Sequence, residues 1–328
     1  MLKQKRFWFG LAISVALLAV VFYQTDPAKI VDALQQAQYG YLIPALALYF
    51  IGVGIRAVRW HYLLRSIKPI PSGALFRTVV IGYMANDILP ARMGEIVRAY
   101  ILGAQAQVSK TATLVTILVE RIFDGLTMLV FIVGASLLLD VADAAMNARL
   151  QIVGIVFIGV IVVLAIIAGM PNQVERIADF FVRRLPDRLR ERARGLTRAL
   201  LDGLGALRSP RASLAIFALS LGAWLCETAM YVVIALGFNI TLPFAVFLFA
   251  TAFANLVTIA PSTPGYVGVF DWPIVYTLTR FNIDQNLATS YTLVLHAALV
   301  VPVTLLGFYY AWRAGLSLTQ MTRAETNA

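Results

Sequence analysis

The chain has 328 residues, 60% hydrophobic and only 13% charged, with a mean hydropathy of +0.80. Soluble domains carry about 25% charged residues, so this composition excludes a water-soluble enzyme and identifies an integral membrane protein. One cysteine, Cys226, and two histidines, His61 and His296, exclude a disulfide framework and the common zinc layouts, and no cofactor or metal is expected.

In chain order, the first apolar run covers 7–23 behind Lys3, Lys5 and Arg6 and reads as a retained span, with a cleaved signal peptide as the alternative. Five further runs, 41–64, 111–139, 150–169, 212–236 and 289–312, reach or approach the roughly 20 residues that cross the hydrocarbon. Two other apolar regions, 73–102 and 242–279, are interrupted by Asn86-Asp87-Ile88-Leu89-Pro90 and by Pro261-Ser262-Thr263-Pro264-Gly265. Proline removes a backbone donor and restricts the residue before it, so each region is expected to fold back as a re-entrant hairpin. Such breaks survive at membrane depth where protein or a watery cavity surrounds them.

Between Met170 and Ala212 stand ten Arg and five Asp/Glu, half of the formal net charge of +10. Leu189, Ala193, Leu196, Leu200, Leu204 and Leu207 recur there at helical steps, among Arg188, Arg190, Arg192, Arg194 and Arg198. The stretch 171–210 therefore reads as a cytoplasmic amphipathic linker on an anionic lipid surface, not a nucleic-acid site; a gating or lipid-recruiting role is the alternative.

The fold class expected is an all-α integral membrane protein, one transmembrane domain over 1–328 with six full spans and two re-entrant helical hairpins. Placing the basic loops inside puts both termini in the cytoplasm of a bacterial inner membrane. The order span, span, hairpin, span then occurs twice, over 7–139 and, leaving out the linker, over 150–313, with opposite sense. That is an inverted-topology repeat, to which eight full crossings without symmetry are the alternative.

Eleven ionisable residues fall inside these elements, and each costs about 2.5–3.5 kcal/mol near mid-membrane, so they are expected to pair or to face a polar cavity. Arg56 and Arg59 share a helix face; Arg56, nearly one turn deeper, is the better candidate to hold an anionic group, and snorkelling to the boundary is the alternative for Arg59 beside Trp60. Asn86 and Asp87 precede Pro90, and Arg92, Glu95 and Arg98 follow at three-residue steps, with Glu95 able to pair with either arginine. Arg92 or Arg98 beside a half-helix N-terminus suits a lipid phosphate, and a purely structural ion network is the alternative. Glu120, Arg121 and Asp124 lie within about one turn. The two acids either clamp Arg56 or Arg98, or one of them carries a proton. Glu227 is a further proton carrier or a strut for a backbone break. Asn255, Ser262, Thr263, Gly265 and Asp271 form a second polar tip, while His296 has no obvious partner and reads as a packed helix residue.

Taken together, Arg59-Trp60 with Leu63-Leu64, Asn86-Asp87-Ile88-Leu89-Pro90-Ala91-Arg92-Met93-Gly94-Glu95-Ile96-Val97-Arg98, Glu120-Arg121 with Asp124, and Pro261 with Pro264-Gly265-Tyr266-Val267-Gly268-Val269-Phe270-Asp271 carry a resemblance. They are similar to the motifs of the lysylphosphatidylglycerol synthase transmembrane-region family, often labelled flippase-like, and the likeness runs from about residue 10 to 315. The resemblance implies movement of a phospholipid or a polyprenyl-phosphate-linked lipid between leaflets. Fused members carry a separate aminoacyl-transfer domain; this chain ends sixteen residues beyond Trp312, so that chemistry is not expected of it. The family pattern more often has Glu where Asp271 stands. Two alternatives remain: a membrane-embedded transferase acting on a lipid phosphate, with metal bridged by Asp87, Glu95 and Asp124, or a regulatory partner that transports nothing. The sequence assigns no oligomeric state.

Overall fold

Helical periodicity governs the regular elements of the computed structural model, which describes residues 5–23, 25–89, 93–139, 155–156, 159–160, 162–184, 186–259 and 263–316. The first apolar run forms α1 (Lys5–Phe22), and the chain then turns by 82° into α2 (Pro27–Gln36). The turn has a local cause: the Asp26 side chain accepts the Ala28 N–H, and Pro27 occupies the first helical position, so a new helix starts there.

A short 3₁₀ turn, Tyr39–Tyr41, leads into α3 (Leu42–Leu64), followed by α4 (Ser72–Ile88), α5 (Gly94–Ala106) and α6 (Lys110–Leu139). Residues 162–169 are helical. Beyond them come α7 (Pro171–Val182), α8 (Asp187–Gly203), α9 (Pro210–Gly237), α10 (Phe244–Val257), α11 (Asp271–Arg280) and α12 (Gln285–Arg313). Four stretches are long and apolar enough to cross a bilayer: Tyr39–Leu64, Lys110–Leu139, Pro210–Gly237 and Gln285–Arg313. The bent α1–α2 pair would make a fifth. Six full spans are therefore not what the described residues establish, and most of 150–161, where one was expected, lies outside them.

The helices α4, α5, α10 and α11 have 17, 13, 14 and 10 residues. At about 1.5 Å per residue, each falls short of a hydrocarbon core about 30 Å thick. Each lies against its chain neighbour, α4 on α5 and α10 on α11. At the α4–α5 crossing the backbones nearly touch: a Cβ on Gly94 would stand 2.2 Å from the Gly82 carbonyl oxygen. Asn86 Oδ1 accepts the Gly94 N–H at 2.8 Å, tying the end of α4 to the start of α5. The break residues 90–92 and 260–262 lie outside the described part of the chain.

Three contacts dominate the packing: α3 on α9, α4 on α12, and α10 on α6. Thr113, Thr116, Glu120, Phe123, Asp124 and Thr127 recur at steps of three and four and form the buried face of α6, while Leu118, Val130, Val133 and Leu137 point outward. Polar residues facing inward and aliphatic ones facing outward are the pattern of a span in lipid.

The basic stretch folds into α7 and α8, joined by Arg194 Nε to Asp179 Oδ1 at 3.0 Å. Ile177, Phe180, Phe181, Leu189 and Leu196 are exposed on these two helices. Behind them α8 docks on the start of α6, where a Cβ on Gly203 would meet Val115 and the Ala112 carbonyl.

Candidate functional site

Charge buried in the bundle is organised in two layers. The inner layer is an ion network on α3, α5 and α6. Arg98 grips Glu120 with both terminal nitrogens, at 3.2 and 2.9 Å, and its guanidinium lies 4.0 Å over the Trp60 ring. Arg59 reaches Glu120 at 3.1 Å, Asp124 and the Ser220 hydroxyl at 2.7 Å. Its side chain is 0% exposed, so the snorkelling alternative for Arg59 fails: it is a buried crosslink between α3, α6 and α9. Trp224 Nε1 donates to Asp124 at 2.8 Å, and Trp60 Nε1 to Thr116 at 3.1 Å.

The second layer lines a cavity of about 500 Å³. Arg56 crosses from α3 to α9, donating to Glu227 at 2.7 Å with its guanidinium 4.3 Å over Trp224. Asn86 and Asp87 reach the cavity from α4, Glu95 from α5, Arg121 and Asp124 from α6, and Asn255 from α10. Tyr49, Tyr83, Trp224, Tyr266 and Phe270 add aromatic surface. Among the described residues, four lining carboxylates, Asp87, Glu95, Asp124 and Glu227, outnumber the two lining arginines, Arg56 and Arg121.

The described flanks of both chain breaks converge here. The Gly265 backbone has φ +70°, a conformation that glycine adopts freely, and the Asp87 carbonyl stands 3.7 Å from where its Cβ would be. A single helix, α12, holds both tips. Thr304 donates to Asp87 Oδ2 at 2.8 Å. Eight residues earlier, His296 has Nδ1 at 2.7 Å from Asp271 Oδ1 and Nε2 at 2.7 Å from the Gly265 carbonyl. Asp271 Oδ2 in turn accepts the Gly268 N–H at 2.8 Å. From the other side Ser14 on α1 meets Thr263 Oγ1 at 3.1 Å.

Two of the described lining residues are exposed, Arg121 and, two residues beyond α10, Ile259. One turn before Arg121, Leu118 is exposed as well. The cavity thus opens beside α6, on a flank whose neighbours are aliphatic. A polar group can sit inside while an attached alkyl chain lies along that flank.

Of the residues singled out from sequence, Arg56, Asn86, Asp87, Glu95, Arg121, Asp124, Glu227 and Asn255 line the cavity. Arg59, Arg98 and Glu120 brace it from behind, and Thr263, Gly265 and Asp271 build its second tip. Arg92 and Ser262 lie outside the described residues. One expected pairing is formed, the clamp of Arg98 by Glu120, because the side of α5 carrying Arg98 packs on α6. Two expectations need correction. Glu227, read as a proton carrier or a strut for a backbone break, is the counter-ion of Arg56. His296 is a two-handed tie to the second tip, not a packing residue. The signal for His296 was available, since an ionisable side chain inside an apolar span marks a functional position by default. Tyr49, Tyr83, Trp224 and Thr304 were missed as well; nothing in a single sequence separates them from ordinary span residues.

A relative described as "Glycosyltransferase AglD", from Haloferax volcanii, is 26% identical to the chain over 295 residues, covering 80% of this chain and 47% of that protein. The chain thus spans about half the length of that curated relative. No solved structure matches it. The pattern of the lysylphosphatidylglycerol synthase TM region matches residues 7–307, which include the bent elements, the ion network and both tips. The chain belongs to that flippase-like family of multi-pass membrane proteins.

Proposed function

We propose that the protein moves a lipid with an anionic or zwitterionic headgroup, a phospholipid or a polyprenyl-phosphate-linked lipid, between the leaflets of a bacterial cytoplasmic membrane. The observation that carries this reading is the cavity of about 500 Å³, lined by charged side chains among aromatic and aliphatic ones, where the flanks of two chain breaks meet, open beside an aliphatic flank. A headgroup crosses inside the cavity while its tails stay in hydrocarbon. Arg121 at the mouth takes the phosphate, because it is half exposed and its contacts to Glu120 at 3.3 Å and Asp124 at 3.7 Å are longer than the shortest one holding each of the buried arginines Arg56, Arg59 and Arg98. Arg92 keeps the role the sequence suggests, as a second phosphate ligand at the first tip.

In this reading 73–102 and 242–279 are re-entrant hairpins from opposite faces, and the halves form an inverted repeat. Packing supports the pairing: α4 of the first hairpin lies on α12 of the second half, and α10 of the second hairpin lies on α6 of the first, with α3 against α9 between them. Both termini and the α7–α8 elbow are cytoplasmic, the exposed Phe180 and Phe181 dipping into an anionic lipid surface.

The test is leaflet exchange in reconstituted vesicles, using fluorescent phosphatidylglycerol and a fluorescent polyprenyl phosphate in separate preparations. Acceleration of either over protein-free vesicles is expected. Failure with both sinks the proposal. The name of the Haloferax relative favours a second reading, a transferase acting on a lipid phosphate. That reading predicts a new covalent lipid product when a sugar donor is supplied.

A further inference from the structure

We propose that His296 and Asp271 form a proton-binding site that couples lipid movement to a proton gradient. This inference deepens the transport reading and rests on it. Hydrogen-bond accounting starts it. The Gly265 carbonyl can only accept, so His296 Nε2 must carry a hydrogen. Nδ1 faces a carboxylate oxygen at 2.7 Å, so a second hydrogen must lie between them, on Nδ1 or on Asp271. The pair therefore holds one proton more than a neutral imidazole beside a bare carboxylate. Once that proton leaves, the single remaining N–H serves Gly265 or Asp271, not both, and a lone pair is turned toward an acceptor.

What depends on the pair is the position of the second tip. Thr304, two turns beyond His296 on α12, holds the first tip through Asp87. Between these two ties lies Pro302, which leaves the carbonyl four residues earlier without its helical donor and gives α12 a place to bend. Loss of the proton leaves the second tip on one of its two bonds to His296, and so loosens it, while the first stays tied.

The other titratable groups sharing the cavity decide where the proton can go. On α3 and α9, Arg56 and Glu227 neutralise each other. On α6, Asp124 is shared by Arg59 and Arg121, whose charge also faces Glu95 on α5. From α4 come the Tyr83 phenol and Asp87, and Asp87 is held by the Thr304 hydroxyl rather than by a cation. The proton thus enters from cavity water onto the His296–Asp271 pair and leaves either to water or to Asp87, the carboxylate on the opposite tip. No bond other than N–H or O–H is made or broken.

Two measurements on the full-length protein test this. In vesicles of phosphatidylethanolamine and phosphatidylglycerol containing fluorescent phosphatidylglycerol or polyprenyl phosphate, a tenfold proton gradient is imposed with the membrane potential clamped to zero. One proton per lipid supports a leaflet ratio of up to about tenfold, and a ratio above about threefold is expected for the unaltered protein. His296→Gln keeps one donor for Gly265 but cannot take up a proton. It is expected to exchange lipid to an even distribution with or without the gradient. An even distribution for the unaltered protein, or an uneven one for His296→Gln, overturns the coupling and leaves the transport reading standing. No exchange of either lipid under any condition overturns the transport reading, and the coupling with it.

The second measurement is independent of transport. Amide hydrogen exchange at Gly265–Gly268, corrected for the intrinsic pH dependence, should quicken about tenfold or more as pH rises through the release of the pair's proton. In His296→Gln it should be fast and independent of pH. A tip equally protected at every pH in the unaltered protein refutes the site itself.

Discussion

Replacing Glu120 by Gln isolates the energetics of the buried network. Glu120 accepts from Arg98 through two bonds and from Arg121 at 3.3 Å, and forms an ion pair with Arg59 at 3.1 Å. These losses are unequal. Arg59 retains Asp124 and Ser220, and Arg121 is 43% exposed, so screening reduces what its contact is worth. Arg98 is 2% exposed and Glu120 is its carboxylate partner; after Glu120→Gln it keeps the Trp60 face and at best one amide oxygen. Breaking one side of a buried ion pair costs about 3–5 kcal/mol, and the residual amide contact places this variant near the lower end. The double variant Glu120→Gln, Arg98→Met removes the stranded charge and should recover all but about 1 kcal/mol, since apolar replacement of a buried pair is often neutral. Equilibrium unfolding in mixed micelles with increasing dodecyl sulfate measures both. A loss below about 1 kcal/mol for the single variant, or no recovery in the double one, would refute the picture of a dry, mutually neutralised core.

Arg121→Gln should lower leaflet exchange about tenfold or more with little change in unfolding midpoint, because its side chain is half exposed at the cavity mouth; equal exchange would remove it as a phosphate ligand. Gly94→Ala puts a Cβ 2.2 Å from the Gly82 carbonyl and 2.6 Å from Asn86 Oδ1, and should cost about 2–4 kcal/mol by prising α5 off α4 and breaking the cap. The same unfolding titration reads it, against Asn86→Ala, which loses only the cap, worth about 1 kcal/mol. Gly268→Ala, at φ +83° and 2.5 Å from the Ser14 carbonyl, should detach α1 from the second tip and raise protease sensitivity at α1; unchanged cleavage would show that α1 is held elsewhere.

Sequence alone disclosed the breaks and their polar tips because proline and glycine carry their conformational consequences wherever they stand. It disclosed the inventory of buried charge for a related reason: a carboxylate in an apolar run needs an explanation whatever the fold. Pairing was another matter. Arg56 and Glu227 lie 171 positions apart and meet only because α3 packs on α9. Arg98 could turn to Glu95 on its own helix or to Glu120 on the next, and the choice follows from which side of α5 faces α6. His296 was misread for the same reason, since its acceptors are a backbone carbonyl and a carboxylate from separate parts of the second tip. The turn at Asp26-Pro27 was legible by its cap and was passed over because the apolar pattern stops there.

The two tips are held by bonds of different strength, and this inequality links the fold to the proposed cycle. The first is anchored by close backbone contact at Gly82 and Gly94, by the Asn86 cap, and by Arg98, whose two-bonded hold on Glu120 fixes α5 to α6. Moving it would strand buried charge at about 3–5 kcal/mol before any packing is lost. The second tip has no arginine in its tie to α12: one imidazole spans a carboxylate and a carbonyl, and each such bond to a charged group is worth about 1.5–3 kcal/mol. One proton decides whether both of those bonds exist. A carrier needs one frame that stays and one element that releases. In this bundle the arginines lie in the frame, and the element that releases is tied by the imidazole of His296, within reach of protons from the cavity.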